Sequence, residues 1–470
     1  MEQLYAAAEI IRDFVWGVPT LLFLIGTGLY LTIILRGIQF RYLGYAFKHI
    51  FFPQKGGGEG DISNFEALMT SLASAIGTGA IVGVSTALVI GGAGSLFWMW
   101  VAGIFGMATK YGESLLAVKF RERDKRGEMI GGPMGYMEKG LGKKWLAILF
   151  AFLGVAATIG TGNLVQVNAI ADAMQSVCGI NPWLTGAATS AMTALIVLGG
   201  VKSIGRVTGI LVPFMSLFYL IGGGVVLFFH ASQIPAALWL MVTSAFQGQS
   251  AVGGMVGAGV MSALQMGVTR GVLSTEAGLG ISSIASAAAK ADSPSQQAII
   301  TMTGSLLSVL LVCTMTGLII IVTGTLEDID LSGRIFSGVF LVNQAFNSTL
   351  AGGEYLVSIG LILFAFSTMI AWAYYGEKCV EYLFGERAVL FFRLMFTLLV
   401  VPGAVIDLGF AWAFADIANA LMAVPNLIAL LGLSTVIVKE TQAFAKDLKR
   451  EKSQKKQGIA VWLKPKPPFQ

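Results

Sequence analysis

A chain of 470 residues that is 55% hydrophobic and 12% charged is not a soluble globule, which would carry roughly twice that share of charge; it is an integral membrane protein. Two histidines, His49 and His230, leave little material for a metal centre or a Ser/His triad, and Cys178, Cys313 and Cys379 lie too far apart for a CxxC pair, so no enzyme chemistry is visible. The net charge of +5 sits in the loops and does not form a nucleic-acid surface.

Segments long enough to cross a bilayer, about 20 apolar residues each, lie near 15–36, 63–90, 94–118, 145–177, 182–201, 206–230, 252–289, 297–323, 354–384, 388–407 and 410–438. They predict eleven spans. The first is too long for a signal-peptide core and lacks a basic flank, so it is read as a retained helix. The loop from Phe120 to Lys144 begins with RERDKR and ends GGPMGYMEKGLGKK, which predicts a cytoplasmic loop with a short interfacial helix. Lys and Arg alternate between sides. Arg36, Arg41, Lys48 and Lys55, then Lys119 to Lys144, then Lys202 and Arg206, then the tail from Lys439 mark one face, while the other holds Arg12 and Arg334. This pattern predicts an external N-terminus and a cytoplasmic C-terminus, and an odd number of spans agrees. The tail KDLKREKSQKK followed by KPKPPF reads as a solvated, membrane-adjacent segment.

Two spans are interrupted. The second carries Ala75-Ile76-Gly77-Thr78-Gly79 at its centre, and each glycine costs a helix about 1 kcal/mol relative to alanine. Backbone freed there must face protein or a polar cavity, never lipid. Gly79 and Gly83, four apart, also fit a helix-packing face; Gly83 falls one residue too late for a dinucleotide loop. The seventh span repeats the interruption at Gly271-Val272-Leu273-Ser274-Thr275-Glu276-Ala277-Gly278-Leu279-Gly280, with Arg270 and Glu276 inside apolar sequence. Five spans separate the starts of the two interruptions. That predicts two five-helix units of opposite orientation plus one extra N-terminal helix, as in inverted-repeat transporters. The chain then divides into 1–62 (helix and loop), 63–230 (first repeat), 231–438 (second repeat) and 439–470 (basic tail).

Ionisable groups within a bilayer are costly and are functional candidates. Arg270 and Glu276, six apart, either pair across the break or turn to different neighbours, and a buried pair that props the break open competes with direct substrate contact. In the fourth span, Asn163 and Gln166 are three apart and share a helical face. Their amides can bond both ends of a zwitterion, or simply join helices. In the ninth span the adjacent hydroxyls of Ser367 and Thr368 suit a hard monovalent cation, with Trp372 one turn on as a pocket wall; bonding to their own helix carbonyls is the alternative.

Six stretches together resemble the alanine or glycine:cation symporter family: EGDIS (59–63), SAIGTG (74–79), GGPMGYMEKGLG (131–142), GTGNLVQVNAIADA (160–173), TRGVLSTEAGLG (269–280) and FSTMIAWAYYGEKC (366–379). The resemblance runs from about Glu59 to Glu440. It implies an all-α, five-plus-five inverted-repeat fold in a prokaryotic inner membrane, and Na⁺-coupled import of a small neutral amino acid by alternating access. It implies a substrate site at Ile76, Gly77, Thr78, Gly79, Asn163, Gln166, Ser274, Thr275, Glu276, Gly278 and Trp372. It also implies a Na⁺ site where the carbonyls of Ala73 and Ile76 approach Ser367 and Thr368, and no cofactor beyond the coupling ion. The partners implied are the amino acid, Na⁺ and the lipid bilayer. Coupling to H⁺, a larger substrate such as glutamine, and a non-transporting sensor or partner subunit are the rival readings; a channel would need a continuous polar pore. Two positions depart from the family's pattern: Ala80 stands where GTGN is usual, and Thr275 where SNEAGLG is usual. Each loses an amide, which predicts a wider pocket or one ion ligand fewer.

Overall fold

The computed structural model describes residues 2–51, 58–247, 259–326 and 338–456. Lys55, residues 252–258 at the head of the expected seventh span, the acidic stretch Glu327 to Arg334 and the proline-rich end at 464–469 lie outside the described residues. The described chain is helical throughout, apart from one short hairpin. Six of its helices are long and apolar enough to cross a membrane: Ile10–Ile34, Lys144–Cys178, Gly200–Phe229, Pro294–Val322, Gly353–Phe384 and Leu408–Gly432. Large apolar side chains such as Leu195, Ile210, Phe228, Phe391 and Leu398 are exposed on the outside, while Lys110, Glu113, Glu276 and Glu377 are buried. That polarity fits lipid as the solvent.

Helices α1 (Glu2–Val15) and α2 (Val18–Ile34) precede the first interrupted element. Its first half, α3 (Asn64–Ala75), starts in a capping box: the Ser63 hydroxyl accepts the Glu66 N–H, and the Glu66 carboxylate accepts the Ser63 N–H. It stops at Ile76, and after a single tight turn at Thr78–Ala80 the chain resumes as α4 (Val82–Gly91). Next come α5 (Gly94–Lys119), a hairpin of β1 (Glu122–Arg123) and β2 (Met129–Ile130), and a short helical turn over 133–140, where the sequence predicts an interfacial helix.

The expected fourth span is α6 (Lys144–Ile159) and α7 (Val165–Cys178), joined by a wide π-type turn at Gly160–Leu164. There Gly162 lets the backbone lie directly on Trp372; a Cβ would collide with that side chain. Helices α8 (Pro182–Val197), α9 (Gly200–Phe229) and α10 (Ile234–Gln247) lead to the second interruption, α11 (Val260–Thr275) and α12 (Ser283–Ala287). Between these two, Glu276 holds φ +57 and Gly278 and Gly280 hold φ +92 and +78. A left-handed glutamate is uncommon and marks a functional or constrained site. The rest is α13 (Pro294–Ser305), α14 (Thr314–Val322), α15 (Gly338–Asn347), α16 (Gly353–Phe384), α17 (Arg387–Gly403), α18 (Leu408–Gly432) and α19 (Ser434–Lys456). Helix α5 packs against both α11 and α13, and α16 against α3, α6, α7 and α9, so the two breaks are held in one core. Helices α10 and α15 lie outside the expected spans.

At one face the ends of the two interrupted elements are tied together. Ile62 pairs with Ala289 in a parallel bridge, Asp61 N–H donates to the Ala288 carbonyl at 2.8 Å, and Lys290 N–H donates to the Ile62 carbonyl at 2.8 Å. Gly58 and Gly60 lie so close to the 289–292 backbone that neither has room for a Cβ. The Arg121 guanidinium donates to the carbonyls of Ala287 (2.9 Å), Ala289 (2.7 Å) and Glu59 (2.7 Å), and the Asp61 carboxylate accepts the Met129 N–H of β2.

Candidate functional site: a cavity between two broken helices

The breaks at 77–79 and 276–279 meet α7, α16 and α18 around a cavity of ≈ 420 Å³ of atom-free space, its open mouth included. Gly77, Thr78, Gly79, Gln166, Glu276, Thr368 and Trp372, all expected from the sequence, line it. Ser74, Thr161, Trp412, Asp416 and Asn419 join them. The first break lies beside the end of α11, where a Cβ on Gly79 would stand 3.4 Å from the Ser274 hydroxyl.

The cavity wall presents both donors and acceptors. Glu276 accepts a 2.7 Å hydrogen bond from Ser74 on Oε2, and Ser74 in turn meets the Tyr375 hydroxyl at 3.0 Å. Glu276 Oε1, Thr78 Oγ1, Trp372 Nε1, Asp416 Oδ1 and Asn419 Oδ1 line the cavity without a close hydrogen-bond partner, and the Trp372 indole and the Ser282 hydroxyl are turned to the Glu276 carboxylate. Leaving buried polar atoms unpaired costs about 1–3 kcal/mol each, so their concentration around one cavity makes it the candidate binding site. Gln166 is anchored through Nε2 to the Thr161 carbonyl at 2.9 Å, which aims its Oε1 at the Thr78 N–H, 3.4 Å away.

Other expected residues face elsewhere. Asn163 does not line the cavity: its amide donates to the Phe396 carbonyl of α17 at 2.7 Å. The shared face expected for Asn163 and Gln166 assumes a regular helix, and the wide turn at 160–164 changes the register between them. Ser274 and Thr275 stand behind the wall, the Ser274 carbonyl accepting from Ser308 and the Thr275 hydroxyl donating to the Gly271 carbonyl at 3.0 Å. The Gly278 N–H donates to Glu113 at 2.9 Å. Ala80 and Thr275, the two departures from the family pattern, are fully buried, and neither lines the cavity. Arg270 and Glu276 turn to different neighbours: Arg270 pairs with Asp416 at 3.5 Å, its guanidinium 5.0 Å from the Trp412 ring centre.

For a cation, the structure brings the Thr368 hydroxyl to within 2.8 Å of the Ala73 carbonyl, beside the end of α3 at Ile76. Thr368 also bonds the Phe364 carbonyl at 2.9 Å, as does Ser367. Two of the four expected oxygens therefore already converge. The carboxylates of Asp124, Glu381 and Glu386 also lie together, but Arg126 bonds Asp124 and Glu381 there, and Lys378 bonds Glu381, so positive charge is already supplied.

Sequence reasoning missed Lys110 and Glu113, both fully buried in α5 against the second break. The signal was present, since two charges lie inside an expected span. It also missed Trp412, Asp416 and Asn419, which only the packing of α18 brings to the cavity.

The model of the sodium:alanine symporter family matches residues 1–458. The chain belongs to that family. It is a membrane carrier and not an enzyme. An uncharacterized transporter of Haemophilus influenzae is 48% identical over 93% of this chain and 96% of its own length. The sodium/alanine symporter AgcS of Methanococcus maripaludis is 46% identical over 94% of this chain and 97% of its own. Among solved structures, MhsT in complex with L-phenylalanine matches 80% of this chain and 89% of its own at a TM-score of 0.57 and 17% identity, which shows a shared fold.

Proposed function

We propose that the protein imports a small neutral amino acid together with Na⁺, by alternating access to the cavity between the two broken helices. The observation that carries this reading is the convergence of the polar groups of Thr78, Gln166, Glu276 and Trp372 on one cavity between the two breaks. A zwitterion satisfies both kinds of group. Its ammonium goes to Glu276 Oε1, and its carboxylate goes to the Thr78 hydroxyl and the backbone N–H groups at the first break, where the positive end of α4 favours an anion. Gln166 shifts from Thr78 to the substrate, and the rings of Trp372 and Trp412 limit the side chain to a small one. Ile76, Gly77, Gly79, Ser274 and Gly278 shape the two breaks, and Asn163 and Thr275 support them. Na⁺ takes the carbonyls of Ala73 and Ile76 with the hydroxyls of Ser367 and Thr368.

In this reading the chain crosses the membrane eleven times, with repeats at 63–230 and 231–438 and an external N-terminus, in a prokaryotic inner membrane. The interrupted elements and α5, with its buried charges, count among the spans although they are too polar or too short to stand among the six long apolar helices. One Na⁺ moving down 100 mV supplies about 2.3 kcal/mol, enough for roughly 50-fold accumulation before any ion gradient is added.

The test is uptake of labelled alanine into proteoliposomes with and without an inward Na⁺ gradient, competed by glycine, serine and glutamine. Gradient-driven accumulation that glycine and serine suppress is expected; accumulation driven only by a proton gradient removes the ion assignment. Gln166→Ala is expected to raise the KM for alanine about tenfold, the scale of one lost hydrogen bond to a charged group. Wild-type kinetics in that variant would count against this cavity as the site.

A further inference from the structure

Lys110 stands at mid-length in α5, enclosed on all sides, and its Nζ donates to the Thr275 carbonyl at 2.8 Å. Thr275 ends α11, so this ammonium caps the partly negative carbonyl end of a helix. The next residue is Glu276. Glu276 and Glu113 are the carboxylates near this ammonium. One helical turn along α5, Glu113 uses one oxygen on the same break, and its Oε2 has no hydrogen-bond partner. Its Oε1 accepts from the N–H groups of Gly278 (2.9 Å) and Gly280 (3.1 Å) and from Asn426 Nδ2 (2.7 Å). The α5 turn thus grips the break on both sides of Glu276, an ammonium on the carbonyl before it and a carboxylate on the N–H groups after it. Glu276 itself accepts from Ser74 on one oxygen and turns the other to the cavity, beside the Trp372 indole. A fixed counter-charge close by offsets the cost of burying a carboxylate.

We propose, resting on the reading that Glu276 receives the substrate's ammonium, that Lys110 is the positioning residue for Glu276. Its bond to the Thr275 carbonyl fixes the turn at Glu276, and its charge beside that turn holds the Glu276 carboxylate toward the cavity. Lys110 does not line the cavity and touches no substrate. If it merely filled space and satisfied one carbonyl, its effect would be independent of the charge at Glu276.

A four-protein cycle separates the two roles: wild type, Lys110→Met, Glu276→Gln and the double variant, each reconstituted for alanine uptake and melted in detergent. Lys110→Met and Glu276→Gln are each expected to raise KM about tenfold or more, the scale of one lost charge-assisted interaction, with a smaller change in maximal rate. The double variant is expected to be no worse than the poorer single variant, because interacting partners are not additive. It is also expected to melt above Lys110→Met, since the uncompensated carboxylate is gone. Should Lys110→Met fail to fold, a double variant that folds supports the proposal, and one that also fails overturns it. Additive effects on KM and melting, or an unchanged KM in Lys110→Met, overturn it as well. An unchanged KM in Glu276→Gln removes the site reading together with this inference, whereas a raised KM there with additive behaviour removes this inference alone.

Discussion

At the scale of single residues, the cavity depends on how closely the first break approaches α16. Gly77 lies against Thr368: a Cβ would collide with Oγ1 of that residue and stand 3.3 Å from Gln166 Oε1. Overpacking of this kind costs about 1–3 kcal/mol. Thr368 has to yield, because Gly77 is backbone, and it yields by leaving the Ala73 carbonyl it now bonds. Gly77→Ala is therefore expected to weaken Na⁺ dependence about tenfold or more, read as the Na⁺ concentration for half-maximal uptake. Gly79→Ala is the control, since its Cβ would meet the Ser274 hydroxyl at 3.4 Å, the near edge of ordinary contact. If Gly77→Ala and Gly79→Ala shift the Na⁺ requirement equally, the assignment of the ion to Ala73 and Thr368 loses its support. The glycines of the breaks were legible because helix propensity alone exposes them. Lys110 and Glu113 were equally legible in principle as charges in an apolar run, and their partners were not, because backbone groups of an unwound segment carry no sequence signature.

At the scale of elements, each interrupted helix is two short helices that must be fixed separately. The first half of the first, α3, is started by Ser63 and Glu66 in a reciprocal box, a pattern readable as Ser-x-x-Glu in the chain. Ser63 is exposed and remote from the cavity. Ser63→Ala is expected to cost about 1 kcal/mol, seen as a lower melting temperature in detergent with an unchanged KM for alanine. A shifted KM would mean that α3 is not a rigid unit. The wide turn at 160–164 shows the opposite case. The run Gly160-Thr161-Gly162 advertises a weak point, but not that it would separate Asn163 from Gln166 by register. Periodicity placed both amides on one face; the packing of Gly162 on Trp372 sends one to α17 and leaves the other at the cavity.

At the scale of the whole molecule, alternating access needs one end of the cavity to close while the other opens, and the face bearing the hairpin is closed. The segments entering α3 and leaving α12 run side by side without room for side chains at Gly58 and Gly60, and Arg121 clamps both with three hydrogen bonds. Hydrogen bonds from a charged group contribute about 1.5–3 kcal/mol each. The clamp can therefore hold this face shut, yet it holds through carbonyls and can be released as a unit when the two segments part. Removing it biases the protein toward opening on that side. In a Cys178→Ser background, Ser71→Cys places a thiol on the buried face of α3 between the clamp and the cavity. Adding Arg121→Ala is expected to speed its alkylation by a membrane-impermeant reagent, applied at the hairpin face, at least about tenfold, the equivalent of one such bond. Na⁺ is expected to slow the reaction again by ordering the first break. An alkylation rate unchanged by Arg121→Ala would mean that the parallel pairing at Ile62 and Ala289 closes this face without the arginine.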